Sequence, residues 1–171
     1  MDNIFLIGMM GSGKTTTAKE LSKLCQRNLV DLDRVLEELS KRSINDIFSN
    51  LGESVFRTME AKALLEASRA NNQVIATGGG VVLSAQNIER MRESGRIIYL
   101  KTSLPVLWSR VRHSKTRPLL QSESPETALK NLYDRRTPLY ESAASVVVVT
   151  DGKTPRQVAE ELYRILFHEK N

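Results

Sequence analysis

Lys14 and Thr15 close the stretch Gly8-Met9-Met10-Gly11-Ser12-Gly13-Lys14-Thr15, which follows the apolar run Ile4-Phe5-Leu6-Ile7 and leads into a helical pattern. In that setting the spacing G-x-x-x-x-G-K-[ST] reads as a phosphate-binding loop. Its glycines let successive backbone N–H groups turn inward on phosphate oxygens, and the following helix adds its positive N-terminal dipole. Lys14 is then placed to reach the β- and γ-phosphates of a nucleoside triphosphate, and the Thr15 hydroxyl to ligate Mg²⁺. Gly11, Ser12, Gly13, Lys14, Thr15 and Thr16 are the expected nucleotide contacts. A glycine-rich turn without a ligand would leave the Lys14-Thr15 pair unexplained.

Further residues with chemistry lie at the ends of other short apolar runs. Asp31 and Asp33 flank Leu32, and a strand's period of two would aim both carboxylates toward one face. Beside a phosphate loop, one carboxylate is expected to hold Mg²⁺ through water, because Mg²⁺ keeps several of its waters, and the other to accept the proton of an attacking hydroxyl. Solvated acids or a helix N-cap are the plainer alternative. Gly78-Gly79-Gly80 costs backbone entropy unless something must approach the chain closely, which suits a substrate packed on bare N–H groups. Arg57 and Glu60 are three residues apart on a helical stretch and can share a face. Between His113 and Glu123, Lys115, Arg117, Pro118 and several serines have the composition of a mobile basic cover. Such a lid over phosphates would exclude water and suppress wasteful hydrolysis. His113, His168, Trp108 and Cys25 are expected to pack or to face solvent without a chemical role.

The elements that must position these residues alternate in kind. Apolar runs over 3–7, 29–32, 74–77, 96–100 and 145–149 read as strands, and three- and four-residue apolar spacing over 15–24, 53–69, 85–93, 104–111, 126–140 and 156–167 reads as helices. Strands separated by helices imply a parallel sheet, whose ligands collect beyond the carboxyl ends of the strands. The phosphate loop, the two aspartates and the glycine run all follow strands, so topology alone converges them on one edge. Ser124-Pro125 and Thr154-Pro155 carry N-cap signals, and Gly95 stands where a helix should stop.

A chain of 171 residues supports one domain, so a second substrate must bind within the nucleotide-binding fold itself. Its one cysteine excludes an intrachain disulfide and a zinc cluster. A net charge of +5 is dispersed among matched acids, and aromatics make up 5% of residues, which argues against nucleic acid and suits an anionic small substrate. No apolar run approaches the roughly 20 residues of a membrane helix. A strand beginning at residue 3 leaves no room for a signal peptide, so cytoplasmic residence is expected. The Asn-Lys-x-Asp and Asp-x-x-Gly patterns of a GTPase switch are absent. Another small-metabolite kinase, such as a gluconate kinase, shares the loop and general layout.

Taken together, the residues resemble the shikimate kinase family over nearly the full chain. Besides the phosphate loop, the resemblance rests on Asp31-x-Asp33, Ile44-x-x-Ile47-Phe48-x-x-x-Gly52-Glu53-x-x-Phe56-Arg57-x-x-Glu60, Gly78-Gly79-Gly80, Arg117-Pro118-Leu119 and Arg136-Thr137-Pro138-Leu139-Tyr140. It implies a three-layer α/β P-loop fold like that of nucleoside monophosphate kinases, with a five-stranded parallel sheet in the order 2-3-1-4-5. One domain would span 1–171, with a substrate-binding region about 33–60 and a lid about 113–123. It implies transfer of the ATP γ-phosphate to the 3-hydroxyl of shikimate by a monomer with one Mg²⁺, a step toward chorismate and the aromatic amino acids. Lys14, Asp33 and Arg117 would be catalytic, Asp33 also binding the ring hydroxyls. Arg57 and Arg136 would grip the shikimate carboxylate as bidentate forks. Gly78, Gly79 and Gly80 would contact the substrate, Ile44, Phe48 and Phe56 would wall it, and Glu60 would orient Arg57. Thr15 and, through water, Asp31 would hold Mg²⁺; Arg117 would meet the phosphates, and Arg110 with Pro155 would flank the adenine. Leu29 departs from the family, which often has an aromatic there.

Overall fold

Alternation along the first apolar run builds the centre of the molecule. In the computed structural model, which describes residues 2–114, 118–120 and 122–168, strand β1 (Asn3–Ile7) is buried along its whole length. Phe5 and Ile7 enter one hydrophobic cluster, while Ile4 and Leu6 enter a second on the opposite face of the sheet. Both faces are therefore covered, as a parallel sheet requires. The other strands are β2 (Asn28–Asp31), β3 (Gln73–Ala76), β4 (Gly95–Lys101) and β5 (Val146–Val149), all parallel, in the order β2-β3-β1-β4-β5. Strand order and direction match the expectation.

Helices α1 (Lys14–Cys25) and α7 (Pro155–Phe167) close one face, with Ala18, Leu21, Val158, Ala159 and Leu162 against the sheet. The other face carries α3 (Ile44–Arg69), α4 (Ala85–Ser94), α5 (Leu104–Val111) and α6 (Pro125–Ala143). Thr154 starts α7 with a capping box: Gln157 N donates to its hydroxyl at 3.3 Å, and its own N–H donates to Gln157 Oε1 at 2.8 Å. Ser124 precedes α6 without a side-chain cap bond. Cys25 is half-buried and packs on the second cluster. Among the described residues, no helix is long and apolar enough to cross a membrane.

Two differences from the expected elements bear on the site. A helix that was not expected, α2 (Leu32–Ser40), begins at Leu32 and buries Leu32 and Leu36. Strand β2 therefore ends at Asp31, and Asp33 stands in the first turn of a helix, not beside Asp31 on a strand. Helix α3 starts nine residues before the expected position 53, capped by Ser43, whose hydroxyl accepts from Asp46 N at 3.1 Å. It breaks at Gly52, whose φ of 85° and ψ of 165° turn the chain between two helical segments.

Close approach rather than turn geometry explains Gly95. Its backbone is extended (φ 174°), but a Cβ there would lie 2.1 Å from the carbonyl oxygen of Asn3 on the neighbouring strand. Gly95→Ala should thus force β4 away from β1 and destabilise the fold by about 1–3 kcal/mol. Urea unfolding should show a lower midpoint at unchanged slope; an unchanged midpoint would refute the clash.

Candidate active site

Beyond β1 the chain turns through the phosphate loop, where Gly11 and Gly13 take φ values of 82° and 88°, a left-handed conformation that costs glycine little. Ser12 N donates to Met9 O at 3.1 Å, and Thr17 N donates to Gly13 O at 2.9 Å, which carries the loop into α1. Lys14 Nζ lies back along the loop, donating to the carbonyls of Gly8 (2.8 Å) and Met9 (3.0 Å). Arg110 reaches from α5 to the loop, its Nη1 donating to Gly11 O at 2.9 Å. Gly11, Ser12, Gly13, Lys14, Thr17 and Arg110 line a cleft of about 450 Å³ that Thr16, Asp31, Lys153 and Pro155 extend.

The Thr15 hydroxyl donates to Asp31 Oδ2 at 2.6 Å within this cleft. The same carboxylate caps α2, with Oδ1 accepting from Arg34 N at 3.2 Å, so Asp31 is an N-cap that also lines the cleft. Among the described residues no group of three or more His, Cys, Asp or Glu could encage a metal. A hydroxyl and one carboxylate at a phosphate cleft fit Mg²⁺, which takes few protein ligands and keeps its waters and the phosphates.

A second cleft, of about 310 Å³, adjoins the first, and Met10 and Asp33 line both. Its polar wall sets two arginines, Arg57 and Arg136, among the carboxyl groups of Asp33, Glu37 and Glu60. Arg136, on α6, is only 3% exposed, its Nε lacks a hydrogen-bond partner, and among the described residues no carboxylate lies within ion-pair distance of it. Arg57, on α3, is held by two glutamates: Nε and Nη2 donate to Glu53 Oε1 at 3.2 and 3.0 Å, and Nη1 donates to Glu60 Oε2 at 2.9 Å. Three of its five donors are used, leaving one N–H on each terminal nitrogen. Phe48 and Phe56 place their rings 6.0 and 5.1 Å from the Arg57 guanidinium, and Ile44 completes the apolar side.

The glycine run forms the floor of this cleft. A Cβ on Gly80 would lie 2.2 Å from Arg57 Nη1, one on Gly78 2.3 Å from Glu60 Oε1 and 3.3 Å from Asp33 Oδ1, and one on Gly79 3.6 Å from Arg136 Nη1. A side chain at Gly78 or Gly80 would thus displace the protein's own ion pair, a constraint that stands beside the expected substrate approach. All expected residues within the described range line one of the two clefts. Arg117 lies outside the described residues, as does most of the central part of the expected lid. Sequence reasoning quoted Glu53 and Tyr140 within the family motifs but gave neither a role: the i,i+4 spacing of Glu53 and Arg57 was available as a signal, whereas no spacing shows what Tyr140 touches.

Glu60 is 1% exposed, so its pair with Arg57 is no surface decoration. Burial raises its carboxyl above the usual range; Arg57 opposes the rise, and nearby Asp33 adds to it. A carboxyl raised in the folded state takes up a proton on folding, so its contribution to stability falls as pH climbs from the unfolded value of 4.5 through the raised folded one. Glu60→Gln removes that contribution. The unfolding free energy of E60Q, followed in urea at stepped pH, should gain on the parent's across this window; parallel curves would refute the shift.

Comparison with known proteins agrees with this geometry. The family model described as shikimate kinase matches residues 10–167. The shikimate kinase of Thermodesulfovibrio yellowstonii is 43% identical over 164 residues, covering 96% of this chain and 94% of the relative, and that of Nitrosospira multiformis is 43% identical over 160 residues, covering 94% and 82%. A solved structure of shikimate kinase from Acinetobacter baumannii in complex with shikimate superposes with a TM-score of 0.94 at 36% identity, covering 97% of this chain and 93% of that one. With the strand order, the phosphate loop and the two-arginine cleft already in place, this chain belongs to the shikimate kinase family.

Proposed function

We propose that the chain transfers the γ-phosphate of ATP to the 3-hydroxyl of shikimate, releasing ADP and 3-phosphoshikimate on the route to chorismate and the aromatic amino acids. The observation that carries this assignment is the buried guanidinium of Arg136, which has no carboxylate within ion-pair distance among the described residues, beside the two-donor fork of Arg57. A buried cation lacking a protein anion is costly, and an incoming carboxylate offsets that cost. Planar, oriented guanidinium groups suit a rigid carboxylate.

The two clefts meet at Asp33 and Met10, where donor and acceptor must touch. Shikimate would lie with its carboxylate on Arg57 and Arg136, its ring against Phe48, Phe56 and Ile44, and its hydroxyls toward Asp33 and the turn Gly78-Gly79-Gly80. The 3-oxygen bonds to the γ-phosphorus as the bond to the β,γ-bridging oxygen breaks, and the hydroxyl proton passes to the Asp33 carboxylate. A loose transition state releases that proton late, so Asp33 acts chiefly by orientation. Lys14 exchanges its contacts with Gly8 and Met9 for phosphate oxygens, and the loop N–H groups steady the rest. Arg117 is assigned to the phosphates on its motif alone. Thr15 and, through water, Asp31 would hold Mg²⁺, which when bound neutralises phosphate charge. Arg110, Lys153 and Pro155 lie where the cleft would receive the nucleoside. Each contact comes from one chain, so a monomer suffices, and a cytoplasmic location supplies both substrates.

Removing Arg136 tests the carboxylate grip. Arg136→Ala should weaken shikimate binding by about 2–5 kcal/mol in calorimetry while leaving ATP affinity within about twofold. The neutral methyl ester of shikimate should bind parent and R136A alike. A loss below threefold for shikimate, or an equal loss for the ester, would take Arg136 out of carboxylate recognition.

A further inference from the structure

The turn Gly78-Gly79-Gly80 and the phosphate loop follow β3 and β1, which are direct neighbours in the sheet. Around Gly79 they come into contact: a Cβ on Gly79 would lie 3.6 Å from both Gly8 O and Met10 N. Phosphoryl transfer depends on the distance and alignment between these loops, one proposed to carry the acceptor and the other the donor. Thr77 N and Oγ1 both donate to Leu6 O, at 3.2 and 2.9 Å, just before the junction. Beyond that point Tyr140 reaches both loops.

Tyr140 lies at the far end of α6, one helical turn beyond Arg136, and is fully buried. Its ring stacks on Tyr99 of β4 with centroids 5.1 Å apart, which fixes its direction. Its hydroxyl donates to the Gly79 carbonyl and lies 3.7 Å from Met9 Sδ in the phosphate loop. One side chain on the helix that carries Arg136 therefore touches both the acceptor floor and the donor loop. Burial raises the phenol well above its ordinary range, with Arg136 as the leading opposing influence, so the hydroxyl keeps its proton and remains a donor.

We infer that Tyr140 is a positioning residue for phosphoryl transfer: its hydroxyl holds the Gly79 carbonyl inward, setting the acceptor floor against the phosphate loop and in register with Arg136. It touches neither substrate nor the reacting atoms. Without the hydroxyl the Gly79 peptide loses its partner and gains freedom to rotate, altering the surface on which the acceptor sits. Placement of the 3-hydroxyl suffers more than capture of the carboxylate, which Arg57 and Arg136 still perform. The role deepens the assignment above, since it requires that shikimate rest on this turn.

Tyr140→Phe keeps the ring stack and removes only the hydroxyl. Tyr99→Phe is the control: Tyr99 is equally buried in the same stack, but its hydroxyl has no hydrogen bond to either loop. Steady-state formation of 3-phosphoshikimate should show kcat of Y140F down about tenfold, with KM for shikimate and for ATP each within about twofold of the parent, and Y99F near the parent throughout. Thermal unfolding of both variants ensures that rates are compared below the transition. A Y140F kcat within twofold of the parent would overturn the inference, as would an equal kcat loss in Y99F or a Y140F loss confined to KM. Failure of the underlying assignment looks different, because the parent itself would then form no 3-phosphoshikimate.

Discussion

A guanidinium buried without a carboxylate beside it sets the terms for the rest of this molecule. Arg136 is almost wholly withdrawn from water, and no described acid comes within ion-pair distance. An uncompensated charge in such a place costs several kcal/mol, a cost the fold sustains by spreading counter-charge nearby without letting it close on Arg136. Glu60 contributes to that field from α3, yet its direct bond is to Arg57. Arg57, with two N–H groups left over, and Arg136 thereby line one cleft together.

Glycines make this arrangement possible in a way that links fold to site. Two of the three in the turn after β3 leave room for Glu60 and Arg57, so the ion pair can press against backbone and the arginine wall can stand close to the loop that accompanies it. The strand order β2-β3-β1-β4-β5 then puts that turn next to the phosphate loop, and Asp33, swung inward by the first turn of α2, reaches the seam between the clefts. Binding energy from the carboxylate end can thus be used to hold the hydroxyl end in line, which is how groups remote from the reacting bond raise a rate.

Much of this was legible in the chain because it is local. The phosphate loop is a contiguous spacing, the strand order came with the family resemblance, and Arg57 with Glu60 reads directly from helical periodicity. Asp33 was legible as a candidate, but on the wrong element. Asp31 both ends a strand and caps a helix, and the short α2 buries only Leu32 and Leu36, so period two and period 3.6 compete over the same few residues. The burial of Arg136 could not be read, since its neighbours Asp134 and Arg135 are those of an exposed helix face and only the packing of α6 makes the difference. A second constraint on Gly78 and Gly80 was also out of reach: it lies in the Glu60 and Arg57 side chains, distant in sequence and brought there by the sheet.

The central claim is that the two clefts serve one reaction with a rigid hydroxy-acid acceptor. The most direct measurement is ADP release from ATP and Mg²⁺ in a coupled assay, comparing shikimate, gluconate, nucleoside monophosphates and no acceptor. Strong stimulation by shikimate alone is expected, with one 3-phosphoshikimate formed for each ADP. Stimulation by another acceptor, or none by shikimate, would contradict that claim and leave the two-arginine cleft without its proposed ligand.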